Sequence, residues 1–434
     1  MQKGFAPIII LIGVLIIGGL AFGSYFYLNK NKLPQSSQNL QSNQNNQSPT
    51  SLPKAIPNNV NKIAYLRPNE VWVVNEDGTE PKKVLSREPV VFNTSSLTSE
   101  QNKSATKFFN EHFFSDLSWS RDGKKLAVKG LSKFIENQAK DSELAKKNGV
   151  GGQFWYPPQG DIYLIDVDTG QYQVLEATEE NTLVGEIQWS YDNKQIVFTR
   201  ERPFNQRPGE IVMVNTDPKN RNEKVLTTYP YQGNNTRGLI WLPERGEVIF
   251  QDQVSYHVSS PEPALVKFNY MSNKKDNKPF ETTKGYRTHT HSLLNDDRIM
   301  YFNTALGPDY GTEYGTYEIR VANIDGSNSK VVYTGKDCGK EEYQGQGGCY
   351  WMYFAPNGMY SMGGKGNSEY ILNPELPKDP VLDFHSQLGS FTWSKDGNKI
   401  AYLQNGNVVI YDLTNKTQKT ITQQSNITEI KWAF

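Results

Sequence analysis

Cysteine is almost absent from this chain: Cys338 and Cys349 are the only two among 434 residues. That excludes a four-cysteine zinc site and a disulfide-dense scaffold. Charge of one sign is not in excess either, since Lys plus Arg and Asp plus Glu number 46 each. No global field draws the chain to nucleic acid, which is set aside as a partner. Catalytic signatures are missing as well. There is no G-x-S-x-G elbow, H-E-x-x-H helix, P-loop or dinucleotide fingerprint, so no cofactor is expected. Histidine is scarce, at five residues: His112, His257, His289, His291 and His385. His289 and His291 stand two apart on an expected innermost strand, so they share a side and read as a hydrogen-bonded pair lining a channel. A metal would need a third ligand, and none is expected.

The first feature present is an apolar run, FAPIIILIGVLIIGGLAFGSYFYL, from Phe5 to Leu28. As a helix it would extend roughly 36 Å, enough to cross a bilayer. Residues 1–30 therefore read as a transmembrane anchor, with a signal peptide cut after Ala21-Phe22-Gly23 as the alternative. Flanking charge leaves the orientation open, with Lys3 on one side and Lys30 and Lys32 on the other. Lys3-Gly4-Phe5 ahead of this run resembles the processing site of type IV pilin-like proteins, although Ile9 stands where that family carries Glu. Residues 31–60 are Gln, Asn, Ser and Pro with little apolar content, and such a segment is expected to be a solvated tether.

Residues 61–434 repeat a unit of four short strands. Its clearest copy is FTWSKDGNKIAYLQNGNVVIYDLTNKTQKTIT, residues 391–422. Ser394-Lys395-Asp396-Gly397 turns the first strand into the second, and Asn405-Gly406 is a hairpin signal. Further units open at DLSWSRDGKKLAVKG (116–130), EIQWSYDNKQIVFTRE (186–201), GLIWLPERGEVIFQD (238–252), HTHSLLNDDRIMYFN (289–303) and YWMYFAPNGMYSMGG (350–364). The unit from Lys62 lacks its first strand, and the terminal segment NITEIKWAF, residues 426–434, matches the missing piece. Pairing of 427–433 with 62–67 would close a ring, leaving no sheet face or edge unpaired.

The motifs Trp119-Ser120-Arg121-Asp122-Gly123, Trp189-Ser190-Tyr191-Asp192-Asn193 and Trp393-Ser394-Lys395-Asp396-Gly397 resemble the WD40-like repeat of TolB-type β-propellers. The same repeat builds the propellers of prolyl-oligopeptidase and dipeptidyl-peptidase relatives, whose hydrolase domain has no counterpart here. The resemblance implies an all-β fold. Counting units gives a seven-bladed β-propeller, with six blades as the alternative because TolB itself has six.

In such a blade, strand direction places the second-to-third and fourth-to-first connections at one end. The long segments, 88–115 and 131–160 above all, fall in these connections, and long connections in compact domains usually carry function. Helical spacing is expected from Ser99 to Phe114, with Phe108, Phe109 and Phe113 as a buried stripe, and again over 131–147. Tyr229, Tyr231, Arg237, Tyr256, Arg287, Tyr310, Tyr314 and Tyr343 gather in these connections and form the expected ligand-binding face. Tyr and Arg anchor interfaces and stack on sugars or peptides. Asp309 and Glu313 would be acids for glycosidase chemistry, but their spacing on a loop establishes no geometry.

Cys338 and Cys349 lie in one connection, and a disulfide there would constrain the unfolded chain by roughly 2 to 3 kcal/mol. That expectation places the propeller on the extracytoplasmic side. The sequence thus reads as a membrane-anchored propeller, held through residues 5–28, that binds a protein, peptide or glycan of the cell envelope without catalysis. The alternatives are a propeller enzyme acting on envelope polysaccharide and a pilin-like surface component.

Overall fold

The computed structural model describes residues 61–89, 91, 99–130, 161–175, 183–201, 208–229, 238–252, 264–276, 280, 286–294, 296–305, 316–336, 352–363, 368–372, 382–385, 391–424 and 426–433. The expected anchor, the tether, the helix over 131–147 and the cysteine pair lie outside these residues. Among the described residues no helix is long and apolar enough to cross a membrane.

The fold is an all-β propeller. Among the described residues, the strands form seven four-stranded antiparallel sheets. Sheet 1 pairs the terminal strand Glu429–Trp432 with Lys62–Arg67, followed by Glu70–Asn75 and Lys82–Ser86. The register sets Ile63 against Trp432 and Tyr65 against Ile430, so the ring-closing pairing read from the sequence is present. Sheets 2 to 7 open with inner strands Phe114–Trp119, Leu183–Trp189, Ile240–Leu242, Tyr286–Leu293, Met352–Phe354 and Phe391–Trp393.

Why the strands read as continuous apolar runs follows from their having a neighbour on each face. Ile63, Ala64, Tyr65 and Leu66 are all buried. Successive side chains point to opposite faces, so Ile63 and Tyr65 join the core shared with sheet 7, while Ala64 and Leu66 join that shared with sheet 2. Outermost strands lose this constraint: Thr417–Thr420 is exposed along its whole length.

The recurrent Ser-x-Asp turn has a local cause. In sheet 2, Ser120 Oγ donates to Asp122 Oδ1 at 2.7 Å and accepts from Lys125 N at 2.8 Å, while Asp122 Oδ1 also accepts from Lys124 N. Ser190 with Asp192 and Ser394 with Asp396 repeat the arrangement. One hydroxyl and one carboxylate thus satisfy the backbone donors that the reversal would leave unpaired.

The expected helix is present over Ser99–His112, two residues shorter than its spacing suggested, because Phe114 opens the inner strand of sheet 2. Phe113, just beyond it, is buried, and the Arg87 guanidinium sits 3.9 Å from its ring centroid. The side chains of Phe108 and Phe109 lie outside the described residues. Asn69 Nδ2 donates to Asn110 Oδ1, tying the helix to a turn of sheet 1.

Candidate functional site

Inner strands contact one another between sheets 7 and 1, 1 and 2, 2 and 3, and 5 and 6, among the described residues. An inner strand has a hydrogen-bonding partner on one side only, which leaves N–H and C=O groups to be satisfied by other means. Side chains of the adjacent sheet do this. Ser118 Oγ donates to Ile187 O at 2.7 Å, and Gln188 accepts from Trp241 N and donates to Leu239 O. Thr392 Oγ1 accepts from Trp432 N at 3.3 Å, which joins sheet 7 to sheet 1. The motif tryptophans reach back the other way: Trp119 Nε1 donates to Lys431 O at 3.0 Å and Trp189 Nε1 to Ser118 O at 3.1 Å.

Acids concentrate at the same level. Glu429, Asp116 and Glu186 each stand three residues before the tryptophan of their strand, Trp432, Trp119 and Trp189. The strand register shifts between Ser115 and Ser118, freeing residues 116 and 117 from regular pairing, and Asp116 takes a φ of 53°. Glu429 fills that gap, its Oε2 accepting from Asp116 N and its Oε1 from Leu117 N, both at 2.9 Å. Glu186 repeats the device two seams further on, between sheets 3 and 4, accepting from Gly238 N at 2.9 Å and from Leu239 N. Lys129 forms an ion pair with Asp116 and donates to Val184 O.

Burial raises the Glu429 carboxyl to about 6, helped by the charge of Asp116 and opposed by the two N–H bonds and Lys431. Glu186 is raised by burial as well, against the pull of its own two N–H donors. Both residues are half-buried. Glu186→Gln retains one acceptor and turns an NH2 toward the other amide. It is expected to cost about 1 to 3 kcal/mol in urea denaturation, the range for a buried donor left unpaired.

Tyr229 corrects the sequence expectation. It is 1% exposed, its hydroxyl donates to Glu201 Oε1 at 3.1 Å, and it packs in the core between sheets 3 and 4. It ends the outer strand Glu223–Tyr229, where a register shift at Leu226 sends both Leu226 and Tyr229 into that core, so its ring is not presented to a ligand. Arg287 lies on the inner strand of sheet 5 opposite Thr304, with its side chain outside the described residues. Tyr231, Arg237, Tyr256, Tyr310, Tyr314 and Tyr343, together with Asp309 and Glu313, also lie outside them. The histidine pair is corrected too. A register shift between Thr288 and Thr290 interrupts strict alternation at His289, and His291 is buried with neither ring nitrogen hydrogen-bonded among the described residues.

Among the described residues no group of three or more His, Cys, Asp or Glu could hold a metal ion. A cavity of about 540 Å³ lies between sheets 1 and 7 at the tight-turn end, away from the channel acids. Its three lysines are already engaged, Lys62 with Asp168, Lys399 with Glu76 and Lys419 with Asp77 O.

No family model matches the chain, and no curated protein matches it. Solved structures similar to it include TolB from Acinetobacter baumannii, at 15% identity over 86% of this chain with a TM-score of 0.42. The match spans 66% of that TolB chain. An oligogalacturonate lyase in complex with manganese is similar at 9% identity, over 81% of this chain and 69% of that one, with a TM-score of 0.40. Hydrazine synthase of Kuenenia stuttgartiensis is similar at 12% identity, over 81% and 89%, with a TM-score of 0.46.

Proposed function

We propose that this protein is a membrane-tethered, extracytoplasmic seven-bladed propeller, each sheet one blade, acting as a non-catalytic scaffold for a protein, peptide or glycan of the cell envelope. The observation that carries the reading is what the channel acids are doing. Both oxygens of Glu429 and both of Glu186 accept backbone N–H groups of an adjacent sheet, so these carboxylates hold seams together. The ligand is then left to the long connections, which leave the sheets at one end and carry Tyr231, Arg237, Tyr256, Tyr310, Tyr314 and Tyr343. The apolar run over residues 5–28 and the expected pairing of Cys338 with Cys349 support the tethered, outward-facing part of the reading.

A pull-down from envelope extract with the full chain tests it, comparing wild type with the combined variant Arg287→Ala, Tyr310→Ala, Tyr314→Ala. Capture of a defined partner by wild type, reduced at least about tenfold in a variant of unchanged melting temperature, is the expected result. The proximity of Glu429 to Asp116 and its raised carboxyl favour one second reading, an enzyme acting on envelope polysaccharide. Turnover of a polysaccharide by wild type, abolished in Glu429→Gln, would replace the scaffold with that enzyme.

A further inference from the structure

We propose that the seam between sheets 4 and 5 is an acid-sensitive joint, opened by protonation of His291. The position three residues before the tryptophan carries Glu429 in sheet 1 and Glu186 in sheet 3, and each reaches a neighbouring sheet. In sheet 4 the equivalent residue is Gly238, which has no side chain to reach with. The imidazole of His291, from the inner strand of sheet 5, occupies the space instead. A Cβ on Gly238 would come within 2.4 Å of His291 Cε1 and 2.6 Å of Nδ1, and Gly238 has a φ of +88°. Two seams are therefore held by charge-assisted bonds, and this one by a neutral ring.

His291 is 5% exposed, and neither Nδ1 nor Nε2 has a hydrogen-bond partner among the described residues. Across its own sheet it faces Tyr301, and the core beyond is Ile240, Leu242 and Ile249 of sheet 4. On the sheet 3 side the titratable group is Glu186, whose carboxylate is committed to Gly238 N and Leu239 N. An imidazolium here would have no carboxylate to pair with among these groups. Burial lowers His291 from its ordinary 6.5 to about 4, outweighing the opposite pull of the Gly238 backbone beside the ring, which makes no hydrogen bond of good geometry with either nitrogen. The sign follows. A folded-state value below the unfolded one means stability is complete above about 6.5 and is lost as pH falls from there toward about 4. Between pH 7.5 and 5 the unfolding equilibrium shifts about 30-fold toward opening on this account. Glu429, raised in the folded state, contributes in the opposite direction below about 6, so the experiment must isolate the histidine.

The full chain is compared with His291→Phe by urea denaturation at pH 7.5, 6 and 5. Titrations common to both proteins cancel in the difference. The expected result is a wild-type unfolding constant that rises about 30-fold relative to the variant between pH 7.5 and 5, with limited proteolysis at pH 5 cutting wild type first within sheets 4 and 5. Parallel pH dependences would overturn the proposal. Should the variant fail to fold, histidine Cε1–H titration of wild type by NMR decides. One of the five histidines remaining neutral below pH 5 supports the proposal, and all five titrating above pH 6 overturns it.

Discussion

Deletion of residues 426–434 is expected to leave no folded propeller. The segment contributes Ile427, Ile430 and Trp432, all buried in the core between sheets 1 and 7, and Ala433, buried against sheet 2. It also supplies the strand that pairs with Lys62–Arg67, the carbonyl that receives Trp119 Nε1, and the carboxylate that holds Asp116 N and Leu117 N. Loss of three large buried side chains at about 3 kcal/mol each already approaches the roughly 5 to 15 kcal/mol that separates folded from unfolded domains. Circular dichroism and a thermal scan of the truncated chain check this. A cooperative transition at the wild-type temperature would show that the closing strand is dispensable.

Truncation of one motif tryptophan is expected to have the next largest effect. Trp119 is 6% exposed and packs with Leu117, Leu126 and Ala433, while its Nε1 donates to Lys431 O across the seam. Trp119→Ala should cost about 3 to 5 kcal/mol in chemical denaturation, from the cavity and the lost burial together. Trp119→Phe separates the two contributions. It keeps much of the packing and removes the N–H, so a cost of about 1 kcal/mol is expected from the carbonyl left without its donor. Trp189, which makes the same bond to Ser118 O, should respond in the same way. If Trp119→Ala cost less than 1 kcal/mol, the tryptophan would be a turn marker and not the tie between sheets that its bond describes.

Much of the fold was legible from local chemistry. The Ser-x-Asp turns at Ser120, Ser190 and Ser394 announced themselves because the residues that make the hydrogen bonds are two to five apart in the chain. The closing strand was legible for a different reason, since its absence from the first unit and presence after the last are both visible in the repeat. The helix Ser99–His112 was recognisable by spacing, with Phe113 buried just past its end.

The acids of the axis were not found, although the signal was present. EIKW, DLSW and EIQW place an acid three residues before a tryptophan in three inner strands, at Glu429, Asp116 and Glu186. A carboxylate on a strand has no evident purpose until the facing backbone is known. Tyr229 misled for the converse reason. It adjoins a long connection rich in Tyr, yet strand pairing continues through it opposite Gly209 and carries its ring into the core. His291 misled because a two-residue spacing guarantees a shared face only in a strand without a bulge.

The repeating unit, its turns, the strand that closes the ring and the end of the sheets from which the long connections leave are all encoded locally. All of these depend on residues close in the chain, or on strand direction alone. Tertiary structure decided which carboxylates latch neighbouring sheets, that Tyr229 belongs to the core, and that a histidine fills the space over Gly238. Those outcomes depend on which backbone lies across a seam from which side chain, at separations such as Glu429 to Asp116, and no local pattern encodes that distance.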